Sequence, residues 1–188
     1  DADSAMAMVP NVGLLLVRIG DALRVSDASN PLAYRYGRMG AWIEFTQAPV
    51  ADGNTTLVPS PPDGMREQWD EMAAAGNWKG VLAAADETSA QFLLWLDPLR
   101  YVARALTELG DSYADAKAAY LREVAFLLQR VPALPELTFN DGRPFADDET
   151  KAWIAAEVQP MLGSGGGGGG AGAGGGKSYL DKPLKKAR

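Results

Sequence analysis

The stretch SYADAKAAYLREVAFLLQRV, residues 112–131, decides the fold class of this 188-residue chain. Its apolar side chains recur every three or four residues and therefore line one face of an α-helix. These side chains are Tyr113, Ala116, Tyr120, Val124, Leu127, Leu128 and Val131. We expect Ser112 to cap the helix at its start, and Pro132 and Pro135 to end it.

The segment before this helix has the same period. Residues 92–109 predict a helix that ends at Gly110. Pro98 leaves two interpretations open. Either Asp97 caps a new helix with Pro98 in its first turn, or one continuous helix is kinked at Pro98. We prefer the continuous, kinked helix.

Two shorter helices are predicted further upstream. Asn77 is expected to cap a short helix that starts at Trp78, and Asp63 to cap a helix that closes at Gly76. Residues 47–62 are rich in Pro and turn-forming residues, so they predict a loop.

Near the amino terminus, residues 12–25 predict one more short helix. Ser29 or Asn30 can cap the next helix, which has Pro31 in its first turn and extends to about Thr46. One face of that helix carries Tyr34, Arg38, Ala41, Trp42 and Phe45.

Beyond residue 131 the helical pattern is interrupted. Leu137–Phe139 is the only plausible extended piece, and Asn140–Gly142 predicts a turn. Asp147 or Asp148 is expected to cap a last helix that contains Trp153. We therefore predict an all-α fold, a helical bundle of about six to eight helices followed by a flexible Gly-rich linker.

The distribution of glycine marks the boundary between the predicted domain and a linker. Eleven of its 21 glycines fall within residues 163–176, and such a run behaves as a flexible linker because it cannot bury a core. The predicted domain is residues 12–162, preceded by a leader at residues 1–11. Residues 177–188 are either a basic tail or the start of a following domain.

Composition excludes several kinds of chemistry. The chain has no Cys and no His, so thiol chemistry, the usual zinc sites and a Ser-His-Asp triad are excluded. Residues 1–162 carry 13 basic and 23 acidic side chains, a net charge of −10, whereas residues 163–188 carry +4. An acidic domain repels phosphate backbones, so nucleic acid is not an expected partner.

Two apparent ligand motifs fail on spacing. Gly176–Ser178 resembles the end of a phosphate-binding loop, but the position that requires the first glycine holds Ala171. Asn140–Gly142 hints at a calcium loop, but its first and third ligand positions would be Leu137 and Phe139. No metal or cofactor is predicted.

A membrane span is not expected either, because no stretch approaches about 20 apolar residues. The longest candidate, Val12–Ile19, is broken by Gly13 and Arg18 and has no basic flank before it. The expected location is therefore the cytoplasm, without membrane insertion.

Short motifs follow one another in a specific order along residues 12–158. They are Asn30–Arg35 with Arg38 and Trp42, Thr55–Pro62, Gly76–Trp78, Trp95–Asp97 with Arg100 and Tyr101, Leu109–Gly110 with Tyr113, Arg130–Pro132, Leu137–Asp147, and Thr150 with Trp153. This order resembles the second N-terminal domain of the TssA family, also named ImpA or VasJ, of the bacterial type VI secretion system.

The resemblance implies which residues carry the family pattern, in the fold or at an interface. They are Tyr34, Arg35, Arg38, Trp42, Trp78, Trp95, Leu96, Asp97, Arg100, Phe139, Asp141, Gly142, Pro144, Phe145 and Trp153. It brings no catalytic, cofactor-binding or metal-binding residue.

The resemblance further implies a non-enzymatic assembly component that acts at the baseplate and at the growing tail tube and sheath. A C-terminal domain, absent from this sequence, would form a ring, and this domain would be part of an arm. The arm would associate with itself, as a homodimer, or dock onto baseplate, tube or sheath proteins.

Two other functions remain open from the residues themselves. One is a helical adaptor whose apolar groove receives a partner helix. The other is an enzyme based on carboxylates, which would need two convergent acidic groups in one pocket with perturbed pKa values.

Overall fold

The structure is a computed structural model that describes residues 1–163. Residues 164–188, which hold nearly all of the predicted linker and the whole predicted tail, lie outside the described residues. The helices are α1 Ala2–Met6, α2 Val9–Ser26, α3 Pro31–Ala41, α4 Met65–Ala74, α5 Trp78–Gln91, α6 Asp97–Glu108, α7 Ala114–Arg130, α8 Asp148–Trp153 and α9 Gln159–Gly163. A π-helical turn, Ile154–Val158, joins α8 to α9. The prediction of an all-α fold is confirmed.

The preferred interpretation of Pro98, a continuous kinked helix, is wrong. Helix α5 ends at Gln91, and α6 begins at Asp97 with Pro98 in its first turn. Proline has no N–H to donate and is tolerated where that donor has no partner inside the helix. Just before α6, the N–H of Leu96 donates to the carbonyl of Phe145 at 2.7 Å, which replaces a helical hydrogen bond.

Three of the predicted helix caps are confirmed. The side chains of Asn30, Asn77 and Asp147 accept hydrogen bonds from backbone N–H groups in the first turns of α3, α5 and α8. Each satisfies a donor that the helix leaves free at its start.

Two other predicted caps are wrong, and α3 is shorter than expected. Gly64, with φ +82°, precedes α4, while the Asp63 carboxylate pairs with Arg143. Ser112 lies in a 3-10 turn, Asp111–Tyr113, that leads into α7. Helix α3 ends at Ala41 rather than near residue 46.

A small hairpin lies inside the predicted loop. Strands β1 Ala51–Asp52 and β2 Thr55–Thr56 pair antiparallel. Thr138, in the piece predicted to be extended, bridges to Thr55. Strands of two residues are too short to show a period of two, which is why the sequence pattern missed them.

Helix α7 supplies the centre of the core. Val124 and Leu127 on this helix are fully buried, and the ring of Tyr120 meets that of Tyr34 edge-on at 6.1 Å. Helix α3 contacts α7 on one side and α2 on the other, so α2 is an outer layer.

Candidate interaction surfaces and the polar network behind them

Most residues of the family pattern are buried. The buried members are Tyr34, Arg38, Trp42, Trp95, Leu96, Asp97, Phe139, Phe145 and Trp153. Trp78 and Arg100 are half-buried, and the exposed members are Arg35, Asp141, Gly142 and Pro144. The buried members belong to the core or to its polar networks. Among the exposed members, Arg35 lies 3.9 Å from Glu123, and the Asp141 carboxylate accepts hydrogen bonds from Arg143.

Asp97 is the centre of a polar network where α4, α6 and α8 meet. Its carboxylate accepts hydrogen bonds from the indole N–H of Trp95 and the backbone N–H of Asp147, both at 2.9 Å. Arg66 lies 3.4 Å from the same carboxylate. Burial raises the pKa of Asp97, and the hydrogen bonds from Asp147 and Trp95 offset part of that rise.

Asp147 extends the network through its own carboxylate. One oxygen caps α8 by accepting from the Thr150 N–H at 2.7 Å, and the other lies 2.9 Å from Arg66 and 3.4 Å from Arg100. Arg100 also pairs with Glu149 at 2.9 Å. Burial alone would raise the pKa of Asp147, but the hydrogen bonds from Thr150 and the two arginines outweigh it and lower the pKa.

Two neighbouring carboxylates with opposite pKa shifts are what a carboxylate-based enzyme would require. Here, however, each carboxylate is already held by backbone donors and arginines. A hollow of about 190 Å³ beside the network is bordered by Asp97 but not by Asp147. Within residues 1–163, no three His, Cys, Asp or Glu side chains are grouped as a metal site would require. The geometry therefore favours a structural junction.

A second buried network joins α2, α3 and α5 through Arg38. Its guanidinium donates to the Ser89 hydroxyl at 2.7 Å and lies 3.2 Å from the Asp86 carboxylate. Asp86 also pairs with Arg24 of α2. Arg38 lies over the Trp42 ring, 5.5 Å from its centroid. Because Arg38 and Asp86 are both buried, each needs the other to compensate its charge.

The outer face of α1 and α2 carries a row of exposed apolar residues. The row, which we call the α1–α2 seam, consists of Ala5, Met8, Val12, Leu15, Ile19 and Ala22. The intervals are alternately three and four residues, the spacing at which helices pair in coiled coils. Leu15 is 57% exposed and Met8 is 58% exposed. From Ala5 to Ala22 the seam is about 26 Å long at 1.5 Å per residue.

The opposite face of α2 is packed tightly on α3 through glycines. A methyl group placed on Gly20 would lie 2.7 Å from the Ala33 carbonyl and 2.7 Å from the Gly37 nitrogen. Gly13 makes a similar close approach to Gly40. Backbone contact at this distance fixes the rotation of α2 and so directs the α1–α2 seam away from α3.

The expectation that no stretch is long and apolar enough to cross a membrane is wrong. Within the described part of the chain, the segment Ala2–Ser26 has both the length and the apolar composition that a membrane span requires, and little of it is buried. Gly13 and Arg18 interrupt the run, but the surrounding apolar residues outweigh them over a longer window. A signal sequence meets the same criteria, so the finding is weak evidence for a membrane span.

A groove lies between α3 and α7. Two adjoining hollows of about 420 and 450 Å³ form it, and both are lined by Glu123 and Phe126. Its apolar lining also includes Leu32, Met39 and Ile43. We call it the α3–α7 groove. No residue of α1 or α2 lines these hollows, so the groove and the α1–α2 seam are separate surfaces.

Of the residues that form these two surfaces, the sequence pointed only to Arg35, Arg38 and Trp42, which line the groove. A signal was available for the seam. The alternating intervals from Ala5 to Ala22 cross the boundary of the predicted leader, and treating residues 1–11 separately hid them. Phe126 lies outside the apolar stripe predicted for α7, but its position in the sequence does not show whether another element covers it.

A family model described as "Type VI secretion, EvfE, EvfF, ImpA, BimE, VC_A0119, VasJ" matches residues 15–178. No curated protein matches the chain. The match covers most of α2 and every later helix, including both walls of the α3–α7 groove.

Proposed function

Because the chain belongs to the ImpA/VasJ family of bacterial type VI secretion proteins, we propose that it is a non-enzymatic arm segment that assembles with a second copy of itself. The observation that carries this proposal is the exposed α1–α2 seam. Four large apolar side chains at coiled-coil spacing lie on one helix face, and water contact with them is unfavourable.

The seam is complementary to itself. In an antiparallel pair of such helices, Val12 lies opposite Leu15 of the second copy, and Met8 lies opposite Ile19. Arg18 is the charged residue that flanks the row, and this register places the two copies of Arg18 far apart along the pair. A symmetric dimer therefore buries the whole row without opposing like charges.

Membership of this family also supports a cellular location and docking partners for the arm. We propose that it acts in the bacterial cytoplasm and docks onto baseplate, tube or sheath proteins, while a separate C-terminal domain of the family forms the ring. The buried Asp97 and Arg38 networks are consistent with a rigid segment that positions its binding partners and has no catalytic role.

The first test is the mass of the 188-residue chain in solution, by light scattering after size-exclusion chromatography. We expect twice the 19.9 kDa chain mass for the wild type, and monomers for Leu15→Glu and Ile19→Glu. Leu57→Glu is the matched control, because Leu57 is even more exposed but lies just after the hairpin, away from the seam. A monomeric wild type, or a Leu57→Glu variant that also dissociates, would contradict self-association through the seam.

The second test addresses docking. The wild-type chain is immobilised and exposed to a lysate that contains a type VI secretion cluster, and bound proteins are identified by mass spectrometry. Recovery of baseplate, tube or sheath subunits supports the docking arm. Recovery of the parent protein alone would restrict the function to self-association.

A further inference from the structure

Arg122, Phe126 and Arg130 form an exposed row along α7. The interval of four residues places them one above another on the same helix face. Phe126 is 58% exposed, although the residues on either side of it in the chain, Ala125 and Leu127, are buried. An aromatic ring left in water between two arginines is a typical anchor of a binding surface.

The wall opposite this row is apolar. Leu32, Met39 and Ile43 of the α3 side face the two hollows that meet at Phe126. Arg35 lies 3.9 Å from Glu123, so residues at the same level of α3 and α7 are neighbours and the two helices run alongside each other. Along α3 the groove extends from Pro31 to Ile43, about 18 Å, which is the length of a helix of three to four turns.

The charge at the groove differs from that of the domain. Residues 1–162 carry a net charge of −10, yet Arg35, Arg122 and Arg130 outnumber the two carboxylates of the groove lining, Asp115 and Glu123. Arg35 lies 3.9 Å from Glu123, and Arg130 also interacts with Glu123 electrostatically. Among the described residues, Arg122 and Arg130 have no carboxylate within 4 Å, so their guanidinium donors are available to a ligand.

We propose that the α3–α7 groove receives an amphipathic helix of another protein, whose apolar anchor packs on Phe126 and whose carboxylates pair with Arg122 and Arg130. These arginines are eight residues apart, about 12 Å along the helix. The matching helix therefore carries Asp or Glu about two turns apart, with Leu, Ile or Phe between them. This proposal rests on the docking role proposed above and defines the chemistry of the partner.

Other segments of this chain fit the groove less well. The α1–α2 seam has the apolar residues but no carboxylate among its members. Residues 177–188 carry four lysines and one arginine against one aspartate, so they would meet the rim arginines with like charge. An acidic helix from a different protein satisfies both the apolar wall and the arginine rim.

The test is site-specific photo-crosslinking in a bacterium with a type VI secretion cluster. The full-length protein carries p-benzoylphenylalanine in place of Phe126, and crosslinked peptides are sequenced by mass spectrometry. We expect one segment of a different protein, with carboxylates seven or eight residues apart around an apolar residue. R122E/R130E is expected to reduce the yield at least tenfold, while K79E, a charge reversal at an exposed position of α5, leaves it unchanged.

Several results would overturn the groove proposal. They are capture of a second copy of this chain, capture of a basic segment, absence of any product at position 126, or an unchanged yield for R122E/R130E. The dimer mass and the recovery of secretion subunits are measured on the same protein. If those persist while position 126 captures nothing, only the groove proposal fails; if they also fail, the proposed function fails with it.

Discussion

The region around Asp97 and the layer formed by α2 and α3 are built in opposite ways. Around Asp97, charged groups are buried and satisfied by one another, and the Asp97 side chain is 2% exposed. In the outer layer, glycines are buried and apolar side chains face water, with Leu15 57% exposed. The first arrangement is closed, since each donor has its acceptor. The second leaves apolar side chains in water, although its own buried charges, Arg38 and Asp86, are paired. Binding is therefore expected at the exposed face of the outer layer, and rigidity at the network.

The largest effect is expected from Asp97→Ala. This change removes the acceptor of the Trp95 indole and of the Asp147 backbone N–H, and leaves Arg66 without one of its two carboxylates. Leaving the Trp95 and Asp147 donors without their acceptor costs about 1–3 kcal/mol each in the free energy of unfolding. Urea denaturation at pH 7 measures this loss. Asp52→Ala, on the exposed hairpin, is the control. A loss below 1 kcal/mol would show that the network does not hold the junction together.

A smaller loss is expected where the outer layer is packed. Gly20→Ala places a methyl group 2.7 Å from backbone atoms of α3, and overpacking of this kind costs about 1–3 kcal/mol. Gly37→Ala is the matched control, because its methyl group meets nothing within 4 Å and alanine favours the helix. We expect Gly20→Ala to lower the midpoint of urea unfolding and to weaken the dimer, and Gly37→Ala to do neither. Equal effects would contradict the close packing of α2 on α3.

The Asp97–Asp147 network should also respond to pH. The folded state lowers the pKa of Asp147, so this residue stabilises the fold above its ordinary pKa, near 4, and that stabilisation is lost as pH falls through the lowered value. Asp147→Asn keeps the helix cap but loses the pairing with Arg66 and Arg100. We expect it to be about 1.5 kcal/mol less stable than the wild type at pH 7.

Urea denaturation at pH 7 and at pH 2.5 distinguishes the outcomes. The difference between Asp147→Asn and the wild type should shrink at the lower pH, where the wild-type carboxylate is also protonated. Burial raises the pKa of Asp97, and the Asp147 charge adds to that rise, so Asp147→Asn should also bring the Asp97 pKa down. A difference that stays the same at both pH values would mean that the charge of Asp147 does not stabilise the network.

The same contrast explains what the sequence could and could not predict. Local chemistry located the caps at Asn30 and Asn77 and the buried stripe of α7, because each depends on residues within one or two turns. The interruption of the helix before Pro98 was predicted wrongly, because it depends on a hydrogen bond from the N–H of Leu96 to the carbonyl of Phe145, which lies 49 positions later in the chain. The Asp97 network and the α3–α7 groove likewise join distant segments. Periodicity identifies apolar faces but does not say which of them another helix covers.

The smallest effect is expected from removing a helix cap in the outer layer. The Asn30 side chain accepts from the Leu32 N–H at 2.9 Å at the start of α3, so Asn30→Ala should cost about 1 kcal/mol. Ser112→Ala is the control, because Ser112 was predicted to cap α7 and makes no cap there. Asn30 carries no charge, so its contribution should be equal at pH 7 and pH 2.5, unlike that of Asp147. If Ser112→Ala cost as much, or if the loss at Asn30 varied with pH, the contrast between this uncharged helix cap and the charged network around Asp147 would not hold.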